Sequence, residues 1–197
     1  MMEGAERSIC SPWPTAQHRW GRLGSVRQEI PRCARNDTTG PIMKAARPMS
    51  RVLYFAYGSN LDLRRFRRRC SGASVAGRAR LPDHQLAFTR YSRHEKGGVA
   101  DIVPQPGATV WGALYEIDDD CFAALDEYEG APRAYRRETV LVIDDQGVER
   151  EAIVYVANKT GEFAPSRQYL AQIARGARDH GLPDDYVRAI ERVRTHA

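Results

Sequence analysis

From Arg51 to Tyr57 the chain reads Arg-Val-Leu-Tyr-Phe-Ala-Tyr, a continuous apolar run rich in aromatic and β-branched side chains. Such a run predicts a buried strand over 51–57. It stops on Gly58-Ser59-Asn60, after which Leu61-Asp62-Leu63-Arg64-Arg65-Phe66 takes up helical spacing and predicts a helix over 61–70. Further strands are expected over 75–81, 84–89, 98–103, 109–117, 136–143 and 149–156. The last two flank Asp144-Asp145-Gln146-Gly147, a turn that makes them a hairpin. Helices are expected over 119–129, 166–179 and 184–194. Pro165 and Ser166 suit the start of the 166–179 helix, Gly181 its end, and Pro183 the first turn of the next. Strands outnumber helices and do not alternate regularly with them, which disfavours a doubly wound sheet. The pattern predicts a mixed α+β fold, a mainly antiparallel barrel or curled sheet with helices packed outside.

Residues 1–50 differ in kind. They carry Pro12, Pro14, Pro31, Pro41 and Pro48 and neither helical nor strand periodicity. They lack the sustained apolar core of a secretory signal, and Glu3 and Glu6 sit poorly in a transit peptide. Two readings are open: a disordered tail, or translated sequence upstream of the true start. Met43 and Met49 both precede the first strand, and Met49-Ser50-Arg51-Val52 makes a natural beginning. Residues 51–197 are then the functional domain. The 197-residue chain is long enough for one domain with a real core.

Charge follows the same division. Of the net charge of +5, residues 1–50 contribute +4 and residues 51–197 contribute +1, with 22 Lys/Arg against 21 Asp/Glu. The basic balance therefore says little about the folded part, and nucleic acid is not expected as a partner. No apolar stretch approaches the roughly 18–20 residues of a membrane span, so a soluble protein without a membrane partner is expected. Cys10, Cys33, Cys70 and Cys121 form no C-x-x-C pair and have no histidine at metal-ligand spacing. They read as reduced thiols in a cytoplasmic protein.

Candidate chemistry lies in two stretches. A strand that feeds a helix through Gly58-Ser59-Asn60 leaves main-chain N–H groups converging on one spot, which suits an anion; it is equally a plain turn and helix cap. In Asp118–Gly130, the Asp cluster belongs at a helix N-terminus and Gly130 just past the other end. At about 100° per residue, Cys121, Phe122, Leu125 and Tyr128 share one face, and Glu129 falls within that stripe. Glu127 points away and Asp126 lies at the margin. Burial and the negative end of the helix dipole both raise the pKa of such a carboxyl, as general acid–base catalysis requires. The alternative is a frayed last turn, with Glu129 in water or paired with Arg133 or Arg136.

Together, "YFAYGSNL", "GGVADIVPQPGATVWGALYEI", "LDEYEG", "PSRQYL" and "GLPDDY" closely resemble the gamma-glutamylcyclotransferase family of the AIG2-like superfamily, in order from about residue 52 to 190. Related families acting on glutathione or on γ-glutamylamines lack the Asn that follows Gly-Ser here, which favours the branch acting on γ-glutamyl amino acids. The resemblance implies a small β-barrel flanked by helices that releases 5-oxoproline and a free amine from a γ-glutamyl compound. It places the acid–base glutamate at Glu129. Its substrate loop matches Tyr54, Phe55, Ala56, Tyr57, Gly58, Ser59, Asn60 and Leu61. A tyrosine that covers the substrate matches Tyr169, and a second pocket tyrosine matches Tyr135, although the preceding segment 131–134 departs from the relatives in length and composition. The implied partner is a small γ-glutamyl molecule, with no metal and no cofactor, and a homodimer is left open because relatives are often dimers.

Two further features have plain structural readings. The basic run Arg64-Arg65-Phe66-Arg67-Arg68-Arg69 reads as the solvated face of an amphipathic helix whose inward stripe is Leu63, Phe66 and Cys70. His84, His94, His180 and His196 are scattered, and Trp111 and Tyr115 sit in a strand pattern as core. A rival function remains, in which the same pocket binds a small acid or γ-glutamyl-like ligand without turnover.

Overall fold

The apolar run after Arg51 forms β1 (Val52–Ala56), with Tyr54, Phe55 and Ala56 buried. The computed structural model describes residues 51–196. The expectations for residues 1–50, including Cys10, Cys33 and the candidate starts Met43 and Met49, lie outside those described residues. After β1 come α1 (Leu63–Arg69), β2 (Ser74–Ser92), β3 (Gly97–Ile117), α2 (Asp119–Glu129), β4 (Tyr135–Asp144), β5 (Glu149–Ala157), α3 (Arg167–Asp179) and α4 (Asp184–Glu191). The five strands close into a barrel in the order β1-β3-β2-β4-β5. Neighbours pair antiparallel except β5 with β1, which closes the ring in parallel at Tyr54 and Ile153. The mixed, mainly antiparallel barrel with flanking helices is as the sequence pattern predicts, and it is closed rather than merely curled.

Four predicted strands are two. Segments 75–81 and 84–89 join in β2, and 98–103 and 109–117 join in β3. β2 and β3 pair from Ser74 opposite Glu116 to Ser92 opposite Gly97, with register shifts at Val75/Gly77, Pro82/His84 and Phe88/Arg90. Pro82-Asp83, which reads as a break, is one of these bulges. Asp83 there takes φ 54°, and its carboxylate accepts from Gly107 N–H at 2.8 Å. A bulge bends a ribbon without ending it, so turn residues mark a corner here and not a loop. The bent ribbon brings Asp101 against β5, where its carboxylate accepts from Ala157 N–H at 2.9 Å and from the Thr89 hydroxyl at 2.5 Å.

The helices follow their caps. Asp118 accepts from Cys121 N–H at 2.9 Å to start α2, and Gly130 ends it at φ 65°. Ser166 accepts from Tyr169 N–H at 3.3 Å, so α3 begins one residue inside the predicted span. α4 stops at Glu191, three residues before the predicted end, and tightens into a bond from Val193 N–H to Ile190 C=O. Among the described residues no helix is long and apolar enough to cross a membrane.

The core is stacked aromatic on one side. The Phe66 ring lies 4.1 Å from that of Tyr115 and 5.8 Å from that of Tyr54, centroid to centroid. Tyr115 is fully buried, as its strand pattern predicts, and its hydroxyl meets His180 Nε2 at 2.8 Å. Cys70 and Cys121 are not free thiols: they form a disulfide, which corrects the sequence reading. Fifty-one residues separate them in sequence. Only the docking of the α1 C-terminus against the first turn of α2 brings them together. The cysteine argument for a reducing compartment falls with that correction.

α3 holds the turn after β1 in place through Gly176, where a Cβ would stand 2.5 Å from the Leu61 carbonyl carbon. Alanine is the better helix former by about 1 kcal/mol, but the backbone of the turn cannot yield to a methyl group. We expect Gly176→Ala to lose about 1–3 kcal/mol net in urea unfolding. A variant more stable than the parent would show that the turn is free to move.

Candidate active site

The chain leaves β1 through Tyr57 and Gly58 and makes one 3-10 turn, Ser59–Leu61. Leu61 N–H bonds to Gly58 C=O at 3.0 Å and Asp62 N–H to Ser59 C=O at 3.2 Å. The amides of Gly58, Ser59 and Asn60 open this turn and have no partner within it. α1 itself starts at Leu63, not at Leu61 as the periodicity suggests. Asp62 caps it, accepting from Arg64 and Arg65 N–H at 3.1 and 3.2 Å. The open amides thus belong to the short turn, and the α-helix that follows is closed by its own cap.

Glu129, the last residue of α2, reaches this turn from the opposite side. Its Oε1 accepts from Asn60 Nδ2 at 3.0 Å. The same nitrogen donates to the Tyr54 hydroxyl at 2.8 Å. Asn60 Oδ1 in turn accepts from the Arg69 guanidinium at 2.6 Å, and the Asn60 main-chain carbonyl accepts from the Tyr115 hydroxyl at 3.2 Å. Asn60 is only 4% exposed, so each of these bonds replaces water it cannot reach.

A cleft of about 410 Å³ opens over Glu129, and a recess of about 30 Å³ continues inward beneath it. Ser59, Glu129, Tyr135 and Tyr169 line both. Tyr54, Tyr57, Gly58 and Asn60 line the recess. Phe55, Ala56 and Leu61 are fully buried and line neither; they hold the strand and turn from behind. Tyr135 and Tyr169 converge on Ala100: the Tyr135 hydroxyl donates to its C=O at 2.9 Å, and its N–H donates to the Tyr169 hydroxyl at 3.0 Å. A Cβ on Gly58 would stand 3.0 Å from Ala100 Cβ, so glycine there keeps the recess open. Among the described residues no group of three or more His, Cys, Asp and Glu is placed to hold a metal ion.

The AIG2-like family matches residues 109–190. A gamma-glutamylcyclotransferase of Homo sapiens is 35% identical over 163 residues, 79% of this chain and 84% of that protein. One of Mus musculus is 35% identical over 147 residues, 71% of this chain and 78% of that protein. The chain belongs to the gamma-glutamylcyclotransferase family. A solved structure of a gamma-glutamyl cyclotransferase superposes with a TM-score of 0.72 at 32% identity, covering 75% of this chain and 90% of that one.

Several residues of this family member's cleft escape a reading of periodicity. Tyr128, expected on the buried stripe with Phe122 and Leu125, is 43% exposed. Its ring lies flat beneath the Arg69 guanidinium, 3.1 Å from the centroid, and its hydroxyl accepts from Arg65. Arg65 and Arg69 are therefore not part of a purely solvated face; only Arg64, Arg67 and Arg68 are exposed. Their four-residue spacing is the one signal that sets them on a common side of α1. Arg65 also binds Glu95, at the tip between β2 and β3, at 2.8 Å. Glu127 is exposed as expected, and Asp126 accepts from Tyr155 and Arg137. Arg136, offered as a partner for Glu129, pairs instead with Glu138 at 2.6 Å.

Two opposing effects act on Glu129. Burial pushes its carboxyl above the usual carboxylate range, while the Asn60 hydrogen bond and the Arg69 and Arg65 charges pull it back. Burial wins, and the net direction is upward. Burial also raises the hydroxyls of Tyr54, Tyr57, Tyr135 and Tyr169, so these stay protonated. A raised carboxyl favours folding when protonated, and that contribution disappears as pH rises through its folded value. Glu129→Gln removes the titration and keeps the acceptor for Asn60. The melting temperature of this variant relative to the parent should climb as pH rises from about 4.3, the ordinary glutamate value, and level off above the raised Glu129 value. A difference that is flat with pH would mean the carboxyl is not held up by burial.

Proposed function

We propose that this chain, through residues 51–197, is a gamma-glutamylcyclotransferase converting a γ-glutamyl amino acid or amine to 5-oxoproline with release of the free amino acid or amine. One observation carries the reading: a carboxyl raised by burial lines the same recess as a glycine turn whose first amides have no partner within the turn, in a cleft sized for a small peptide. The recess alone, about 30 Å³, is far below the few hundred Å³ of an ordinary ligand pocket. The glutamyl end therefore lies at the junction of recess and cleft, with its leaving group toward the wider opening.

In this reading the α-nitrogen of the glutamyl group attacks its own γ-carbonyl carbon. A new N–C bond forms, the old C–N bond breaks, and no water enters. Glu129 as carboxylate takes a proton from the α-ammonium and passes it to the departing nitrogen, then does so a second time. Two of the three ammonium protons thus reach the amine, which leaves as an ammonium, and Glu129 ends with its starting charge. Because attack is intramolecular, holding the folded conformer is the first contribution, and alignment can supply several kcal/mol, up to about 7–11 in the best cases. The amides of Gly58, Ser59 and Asn60 suit the α-carboxylate or the transient oxyanion, a donor of that kind being worth about 3–4 kcal/mol. Tyr169, whose oxygen accepts from Ala100, keeps its proton for the substrate, and Tyr135 walls the same cleft.

Incubation with a panel of γ-glutamyl dipeptides and γ-glutamylamines, followed by mass spectrometry, should show 5-oxoproline and the matching amine. Glu129→Gln should cut that rate by about 10²–10⁴-fold while the protein stays folded. In the parent, kcat/KM should fall as pH drops through the raised Glu129 value, because only the carboxylate accepts the first proton. A protein that binds these compounds but forms no 5-oxoproline from any of them is a binding protein, and the catalytic reading fails.

A further inference from the structure

The mechanism above uses Glu129 and leaves Arg69 without a role, although Arg69 donates at 2.6 Å to the side chain that holds Glu129. We propose that Arg69 is a positioning residue: its guanidinium fixes the Asn60 carboxamide in the one orientation that donates to Glu129. The inference rests on the cyclotransferase reading for its effect on rate, but its geometric content does not.

A carboxamide has two nearly isosteric ends, one accepting and one donating. Arg69 offers only donors, so the oxygen of Asn60 must face it. The nitrogen then faces the other way, where Glu129 Oε1 and the Tyr54 oxygen take its two hydrogens at 3.0 and 2.8 Å. Turning the amide over would set donor against guanidinium and oxygen against carboxylate, two repulsive contacts in place of two bonds. Arg69 is held to this task. It lies on the Tyr128 ring, which belongs to the same helix as Glu129 and stands one residue before it. It is half-buried on α1, while Arg64, Arg67 and Arg68 on the same helix are exposed. A cation stacked on a ring and bonded at its tip loses little freedom when substrate arrives.

The relay also carries charge. The groups facing Glu129 are Tyr54 on β1, Asn60 in the turn, Arg65 and Arg69 on α1, Tyr135 on β4 and Tyr169 on α3. The tyrosines are neutral, so the two arginines are the cations of this set. Arg65 is already committed to Glu95 at 2.8 Å and to Gln172 at 2.9 Å. Arg69 makes no such ion pair among the described residues' salt bridges, and its bonded neighbour is Asn60. Loss of Arg69 therefore removes both the lock on the carboxamide and the first of the two cations that restrain the rise in the Glu129 carboxyl.

The test compares the full chain with Arg69→Met, Arg69→Gln and Arg69→Lys in two measurements. The first follows the Glu129 carboxyl carbon by NMR across pH in protein labelled with ¹³C at glutamate carboxyls, the resonance assigned by its absence in Glu129→Gln. Its midpoint should rise by about one pH unit in Arg69→Met and return toward the parent in Arg69→Lys. The second is the pH profile of 5-oxoproline release. There kcat should fall, KM should stay near the parent value, and the acid limb should move up with the NMR midpoint. A packing role alone would lower stability and leave the midpoint where it was. Should Arg69→Met fail to fold, Arg69→Gln, which keeps a donor and loses the charge, reads the same midpoint. An unchanged midpoint in both neutral variants overturns the proposal. If the parent forms no 5-oxoproline while the midpoint still moves, the relay stands and the cyclotransferase reading falls.

Discussion

Asn60 joins four elements of the fold at the cleft. Its carboxamide and carbonyl bind Tyr54 of β1, Arg69 of α1, Glu129 of α2 and Tyr115 of β3. A buried amide left unpaired costs about 1–3 kcal/mol for each lost bond, so strand, turn and both helices must dock together or the site pays at several points at once. The docking is what puts a helix C-terminus, with its carboxylate, opposite a glycine turn. Neither stretch makes a site alone. The disulfide between Cys70 and Cys121 ties the C-terminus of α1 to the first turn of α2.

The proposed chemistry depends on an arrangement that works against stability. An ionised glutamate at the end of α2 meets the negative pole of its own helix and is sheltered from water. The protein partly offsets this with one neutral donor and two arginines, and it stops short of a direct ion pair. A closer cation would hold the carboxyl low and leave it a poor proton carrier near neutrality. Asn60 stands between Glu129 and Arg69 as an insulator of that kind: it passes on orientation while keeping the charges apart. Tyr128, exposed at its edge, supplies the surface on which the cation rests.

Legibility varied with the range of the interaction. The span of α2 and its Asp118 and Gly130 ends were readable because caps act within one turn of helix. The Asp144–Gly147 hairpin was readable for the same reason. The division of β2 and β3 was misread because Pro82 and Asp83 carry turn chemistry whether the chain bends or stops, and only the partner strand shows which. Arg65 and Arg69 were set with their exposed neighbours because an apolar stripe defines one face and says nothing of how far a long cationic side chain reaches sideways. Angle alone sets Tyr128 on the buried stripe, yet the last turn of α2 emerges from cover there, leaving Tyr128 exposed and Glu129 half-buried.

By itself the sequence determined the local vocabulary: a buried first strand, a glycine turn after it, capped helices, a carboxylate on an apolar stripe, and a barrel-like excess of strands. These follow from periodicity and backbone preference, which act over a few residues. The tertiary structure decided which of those pieces meet. It closed the ring by a parallel contact between β1 and β5, paired cysteines 51 residues apart, and brought Asn60 to a glutamate 69 residues away. Such contacts are chosen by the sum of packing over the whole barrel, and no short stretch of chain carries that sum.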